Sequence, residues 1–242
     1  MFPESRLKMN GIYQSLSFDC YGTLVDWRGG LLAAVGACEA LAGITWDAEL
    51  FLNHRLAEEA RLEAGPWRPY REIVARSVAA ALARQGLDLP ASQAAQVAES
   101  IGTWPPFADV RAALKVLGTG RHLAIVSNVD RIDIEATVSA LGVSFREVVT
   151  AEDVRSYKPA PAHLEEMGKR LGTPRGHHLH VAQSLFHDIR PGEAMGLDTA
   201  WINRLGEPLP RDTRPTFHCK DLAALAVELG PGEPAQPMSS RA

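Results

Sequence analysis

The chain has 242 residues, 46% of them hydrophobic and 22% charged, enough for one large domain or a core carrying a smaller insertion. A formal net charge of -4, with Lys and Arg scattered along the chain, gives no electrostatic footprint for nucleic acid or an anionic membrane surface. Three cysteines (Cys20, Cys38 and Cys219) without paired spacing argue against a disulfide framework or a CxxC zinc site, and no stretch approaches the roughly 18 apolar residues that cross a bilayer. The opening MFPESRLKMNG lacks a signal-peptide core, so a cytoplasmic protein is expected, with Met9 as an alternative start.

The first element, YQSLSFD at 13–19, is β-rich and stops at an aspartate before a turn, so it reads as a strand delivering Asp19 at its carboxyl end. Residues 29–103 differ. They are rich in Ala, Leu, Glu and Arg, and apolar spacing of three and four predicts helices over 31–42, 48–64, 70–85 and 91–102. A helix at 109–119 follows, with Asp109 suited to its N-cap, then a strand at 122–128 and a helix at 131–141. A short strand candidate lies at 147–153, a helix at 162–171, a strand at 178–184, a helix through Gly192 to Gly196, and a strand at 198–204.

Alternation of strand and helix predicts an α/β fold: a Rossmann-like parallel sheet with helices on both faces, and a small all-helical cap inserted after the first strand. The expected division is a core of 1–28 and 104–229, a cap of 29–103, and a disordered polar tail of 230–242. Ligands of such sheets bind beyond the carboxyl ends of the strands.

Four segments bring polar groups to those ends: Asp19 with Thr23, Ser127 with Asn128, Lys158 before Pro159, and Asp188. Singly, each has an ordinary reading as a turn, a helix cap or a solvated loop. In order, FDCYGTLVD, IVSN, YKPAP and AQSLFHD resemble the haloacid dehalogenase superfamily over about 13–26 and 105–205. The resemblance implies a hydrolase with Asp19 as nucleophile. Lys158 would keep that carboxylate ionised, and Asp188 would position or deprotonate the water that cleaves the aspartyl intermediate.

Phosphatases of the superfamily carry a second aspartate two residues after the nucleophile, to protonate the leaving oxygen. Here that position is Tyr21, whose phenol, of pKa about 10, is a poor acid at neutral pH and a poor magnesium ligand. A departing halide needs neither a proton nor a metal. DCYGTLVDW, PFADVRAALKVL and GLDTAWINR are similar to the L-2-haloacid dehalogenase branch, implying attack on short 2-haloalkanoic acids with no cofactor and no metal. That branch assigns the halide to Arg55 and Asn128 and the substrate carboxylate to Ser127, with Tyr21 and Cys20 beside the substrate. It also implies a homodimer.

Trp27, Trp104, Tyr157, Ser184 and His187 are candidate pocket residues, the two tryptophans because they flank the crossings into and out of the helical segment. For any one aromatic, packing of cap against core is the ordinary alternative. Arg55 likewise has a plain reading as a solvated helix arginine beside Glu58 and Glu59. His177, His178 and His180 lack carboxylate or cysteine partners for a metal and read instead as a strand with alternating exposure. Leu164, Gln183 and Leu185 depart from the polar residues usual in the branch, and Tyr157 and His187 are the nearest substitutes. A magnesium-dependent phosphatase of small metabolites and a non-catalytic binding module remain as alternatives.

Overall fold

The structure, a computed structural model, describes residues 12–232. Met9 and residues 233–242 of the expected tail lie outside the described residues. Six strands form one sheet: β1 Ser15–Phe18, β2 His122–Ser127, β3 Glu147–Thr150, β4 His178–Ala182, β5 Asp198–Ile202 and β6 Phe217–Cys219. Their order is β3-β2-β1-β4-β5-β6, and every neighbouring pair is parallel. The chain builds outward from β1 through β2 and β3, then restarts on the other side with β4. The switch point therefore lies at the carboxyl ends of β1 and β4, beside Asp19.

Side chains alternate across the sheet, which gives it two covered faces. Leu123 and Ile125 of β2 join Leu16 and Phe18 of β1 in the main core, with α5 (Val110–Leu117) and α10 (Leu222–Leu229) packed over it. Ala124 and Val126 face the other way, onto Leu164, Met167 and Leu171 of α8 (Ala162–Leu171). On that second face the centre of the sheet is polar. Ser17 is in register with His180, and its hydroxyl lies 2.8 Å from His180 Nδ1 and 2.7 Å from His178 Nε2. Both histidines are buried while His177 is exposed, so the expected alternating exposure is corrected. These rings lie under the helices because a parallel sheet is covered on both faces, and Ser17 satisfies them there.

Between β1 and β2 run α1 (Trp27–Gly36), α2 (Ala48–Glu63), α3 (Tyr70–Ala83) and α4 (Ala91–Glu99). Helix α1 starts four residues before its expected position, because Asp26 accepts Gly29 N at 3.0 Å and so caps an earlier turn. Helix α3 has Pro69 at its N-cap and no capping side chain of its own. Its first amides are bound instead by Asp130, which follows β2: Tyr70 N and Arg71 N donate to the two carboxylate oxygens at 2.8 and 2.9 Å. Arg71 also grips buried Asp133 of α6 (Arg131–Leu141) through two bonds, at 2.9 and 2.7 Å. Phe51, Val74, Leu82 and Val97 of these helices share one hydrophobic cluster with Leu16 and Phe18 of the sheet.

The expected strand at 147–153 is β3 for its first four residues and then turns into the short helix α7 (Ala151–Val154), started by a capping box of Thr150 and Asp153. Helix α9 (Arg190–Ala194) covers part of the stretch expected as helical around Gly192. No element is expected past 204, yet β6 and α10 are present there. β6 has only three residues, too few for an alternation to register. Helix α10 buries Leu222, Leu225, Ala226 and Leu229, a stripe at helical spacing.

Candidate active site

Asp19 leaves β1 with its amide donating to Val181 O of β4 at 3.0 Å, which extends the sheet by one residue and aims the carboxylate past its edge. The chain then folds back, with Leu24 N and Val25 N both donating to Cys20 O. Gly22 sits in this turn at φ +104°, a backbone conformation that strains any residue with a side chain and so favours glycine. The turn returns Thr23 beneath the carboxylate. Its hydroxyl donates to Asp19 Oδ2 at 2.7 Å and accepts Gln183 N at 2.8 Å.

Lys158 Nζ donates to Asp19 Oδ1 at 2.8 Å, Asp188 Oδ1 at 2.7 Å and Val126 O at 3.2 Å. All three charged groups are buried. Burial opposes the lysine charge, but Asp188 and Asp19 outweigh it and hold the ammonium above its usual range. Burial likewise pushes Asp188 up, yet Lys158 and the neighbouring His180, whose Nε2 is 3.1 Å from Asp188 Oδ1, leave it well below the usual carboxylate range. Asp19 is raised by burial and by the Asp188 charge, against the pull of Lys158 and Thr23. Asp188 Oδ2 has no partner among the described residues.

Above this triad lies a cavity of about 300 Å³. Of the residues singled out from sequence, Asp19, Tyr21, Trp27, Arg55, Trp104, Ser127, Asn128, Lys158, Ser184, His187 and Asp188 line it. Thr23 stands behind Asp19. Tyr157 borders an adjoining cavity and donates its hydroxyl to Arg68 O at 2.5 Å. Cys20 is a correction: it is fully buried in the apolar core, since the residue after Asp19 points to the opposite side of the chain. The Tyr21 hydroxyl is paired with Thr137 Oγ1 at 2.8 Å, and its ring meets Trp104 edge-on. Ser184 Oγ accepts His187 N at 3.0 Å and lies 3.1 Å from His187 Nδ1.

Arg55 is not solvated; it is 2% exposed. Its Nη1 and Nη2 donate to the two oxygens of Glu59 at 2.8 and 2.7 Å, and Tyr70 OH donates to Glu59 Oε1 at 2.5 Å. Its Nε has no partner among the described residues. Asn128 Oδ1 accepts Lys158 N at 2.9 Å while its Nδ2 donates to Glu63 Oε1 at 3.4 Å. Glu59, Glu63 and Gln183 line the cavity without having been marked as candidates. The signal for the two glutamates was the spacing 55, 59, 63, which stacks them with Arg55 on one face of α2. Leu164 packs into the core under β2, and Leu185 packs near Trp201, so neither faces the cavity. Among the described residues no group of three or more His, Cys, Asp and Glu is placed to hold a metal ion.

A family model for haloacid dehalogenase-like hydrolases matches residues 13–196. The chain belongs to that family. It is 30% identical over 199 residues to haloacetate dehalogenase H-2 of Moraxella sp. (strain B), covering 80% of this chain and 87% of that protein. It is 26% identical over 224 residues to an (S)-2-haloacid dehalogenase of Pseudomonas putida, covering 88% and 95%. A solved L-2-haloacid dehalogenase aligns at TM-score 0.78 and 25% identity, over 90% of this chain and 98% of that one. The L-2-haloacid dehalogenase of Xanthobacter autotrophicus with chloropropionic acid covalently bound aligns at TM-score 0.71 and 20% identity, over 88% and 96%. This haloacid dehalogenase-like hydrolase thus shares the family's all-parallel sheet. No helix among its described residues is long and apolar enough to cross a membrane.

Proposed function

We propose that the protein is a metal-independent dehalogenase of short 2-haloalkanoic acids. The observation that carries this reading is the buried Lys158 ammonium bridging Asp19 and Asp188, opposite a Tyr21 whose hydroxyl is already taken by Thr137. Such a site has a carboxylate nucleophile and a candidate base, but no acid at the position that would protonate an oxygen leaving group.

In the proposed reaction an Asp19 oxygen attacks C2, the carbon–halogen bond breaks with its electron pair going to the halide, and an aspartyl ester forms. The Arg55 Nε and the Asn128 amide are the donors available to the halide, and Ser127 the donor for the substrate carboxylate. Trp27 and Trp104 wall the pocket and keep water from competing for the halide. Water then attacks the Asp19 carbonyl carbon, Asp188 takes its proton through the open Oδ2, and the 2-hydroxy acid leaves. In this reading residues 29–103 act as a cap over the sheet edge, and the protein works in the cytoplasm as a homodimer.

The test is halide release from 2-chloropropionate and fluoroacetate, with and without EDTA, beside a generic phosphate ester. Halide release that resists EDTA is expected. Magnesium-dependent phosphate release without halide would move the protein to the phosphatases. In a single turnover in oxygen-18 water with enzyme in excess, the label should enter Asp19. Label only in the hydroxy acid would remove the ester intermediate.

A further inference from the structure

The charges around the cavity do not suit an anionic substrate as they stand. Four carboxylates, Asp19, Asp188, Glu59 and Glu63, line it against two side-chain cations, Lys158 and Arg55. Both cations are already committed, Lys158 between two aspartates and Arg55 in a bidentate pair with Glu59. An incoming carboxylate therefore meets a net negative pocket in which every strong cation has its partner. Bringing one more negative charge into a buried site is costly unless something neutralises it.

We propose that the site takes up its haloacid as an anion together with one proton, and that Glu63 is the group that holds this proton beside the substrate. The substrate's identity in this proposal rests on the dehalogenase reading above.

Glu63 ends helix α2 and borders both the main cavity and the adjoining one. It faces Arg55 and Glu59 from its own helix, Tyr70 from α3, Asn128 from the loop after β2, and Arg155, Tyr157 and Lys158 from the loop after α7, with His187 across both cavities. None of the three cations in this set is paired with it. Lys158 and Arg55 have the partners described, and the Arg155 guanidinium stacks 4.1 Å over Trp67. Among the described residues the one side-chain hydrogen bond to Glu63 is from Asn128 to Oε1, which leaves Oε2 as the natural seat of a proton. Burial and the Glu59 charge push the Glu63 carboxyl up to about 8. A neutral Glu63 would offer an O–H to the substrate carboxylate, where an ionised one would repel it.

The test is calorimetric binding of lactate, the unreactive 2-hydroxy acid product of 2-chloropropionate, to the protein with Asp19 intact, in buffers of different ionisation enthalpy between pH 6 and 10. Uptake approaching one proton is expected above about pH 8, with affinity falling about tenfold per pH unit there. Glu63→Gln should abolish the uptake and flatten the affinity, whereas Glu63→Asp should keep a pH dependence. In the wild-type enzyme, KM should rise with pH over the same range while kcat holds. Absence of binding at every pH, or proton uptake unchanged by Glu63→Gln, would overturn the proposal. Failure of the dehalogenase reading shows separately, as absence of halide release by wild type at pH 6.

Discussion

Lys158 is held by three acceptors in a buried site, and its removal would leave Asp19 and Asp188 facing each other without the cation between them. Losing one partner of such a network costs about 3–5 kcal/mol. Lys158→Ala is therefore expected to unfold at a markedly lower temperature and to lose at least about a thousandfold in kcat, since an aspartate sharing a proton with its neighbour is no nucleophile. Near-normal turnover in a folded Lys158→Ala protein would exclude the lysine from the reaction. Glu63 carries a prediction of opposite sign. Its folded-state carboxyl is raised to about 8 from an ordinary 4.5, so the folded protein keeps a proton that the unfolded chain has already lost. Stability contributed by that group is complete below about 4.5 and declines as pH rises toward 8. The melting temperature of Glu63→Gln should thus gain on wild type between pH 5 and pH 9, and a constant difference would contradict the assignment. The triad was legible because its members fall in motifs whose order along the chain is informative, Asp19 directly after β1, Lys158 in the loop after α7 and Asp188 in the turn after β4. Glu63 was not singled out, because the spacing 55, 59, 63 places it on the face of Arg55 but carries no sign of burial until another element is packed on that face. Cys20 was misread for a related reason: adjacency to Asp19 in sequence says nothing about which side of the chain a thiol faces.

At the level of elements, the pocket wall depends on how closely α1 approaches the segment after α4. A Cβ on Gly30 would stand 2.3 Å from the Trp104 ring, so the helix can touch that indole only through a glycine. Gly30→Ala should push Trp104 aside at a cost of about 1–3 kcal/mol and raise KM more than it lowers kcat; an unchanged melting temperature would contradict the packing. The four inserted helices were readable from apolar spacing alone, since each buries a stripe. Their ends were less so. The start of α1 was missed because it depends on Asp26, whereas α3 begins at residue 70 as expected, although its cap is Asp130, a residue sixty positions away that no local pattern could connect. β6 escaped because its pairing with β5, from Ala200 with Phe217 to Ile202 with Cys219, is a tertiary fact carried by only three residues.

On the scale of the whole molecule, the inserted helices and the sheet share one hydrophobic cluster, which predicts a single cooperative unfolding transition. Far-ultraviolet circular dichroism and tryptophan fluorescence should give the same midpoint; two separated midpoints would mean that the helices melt by themselves. Arg204 strengthens this unity. It follows β5, donates to Thr23 O at 3.1 and 2.9 Å, and pairs with Asp109, which in turn accepts Leu222 N of α10 at 2.8 Å. The parallel sheet was legible in the alternation of strand and helix, while its strand order rests on long-range pairing that no short window contains. The cap that Asp130 lends to α3 has one further consequence. If the cleft opens, Tyr70 and Arg71 lose their amide partners in the same event, so separation of the two layers and fraying of that helix end become one motion. Two backbone protons thereby serve as a built-in clock. Their hydrogen-exchange rate reads the fraction of time the cleft stands open, and a ligand that closes it should slow them together.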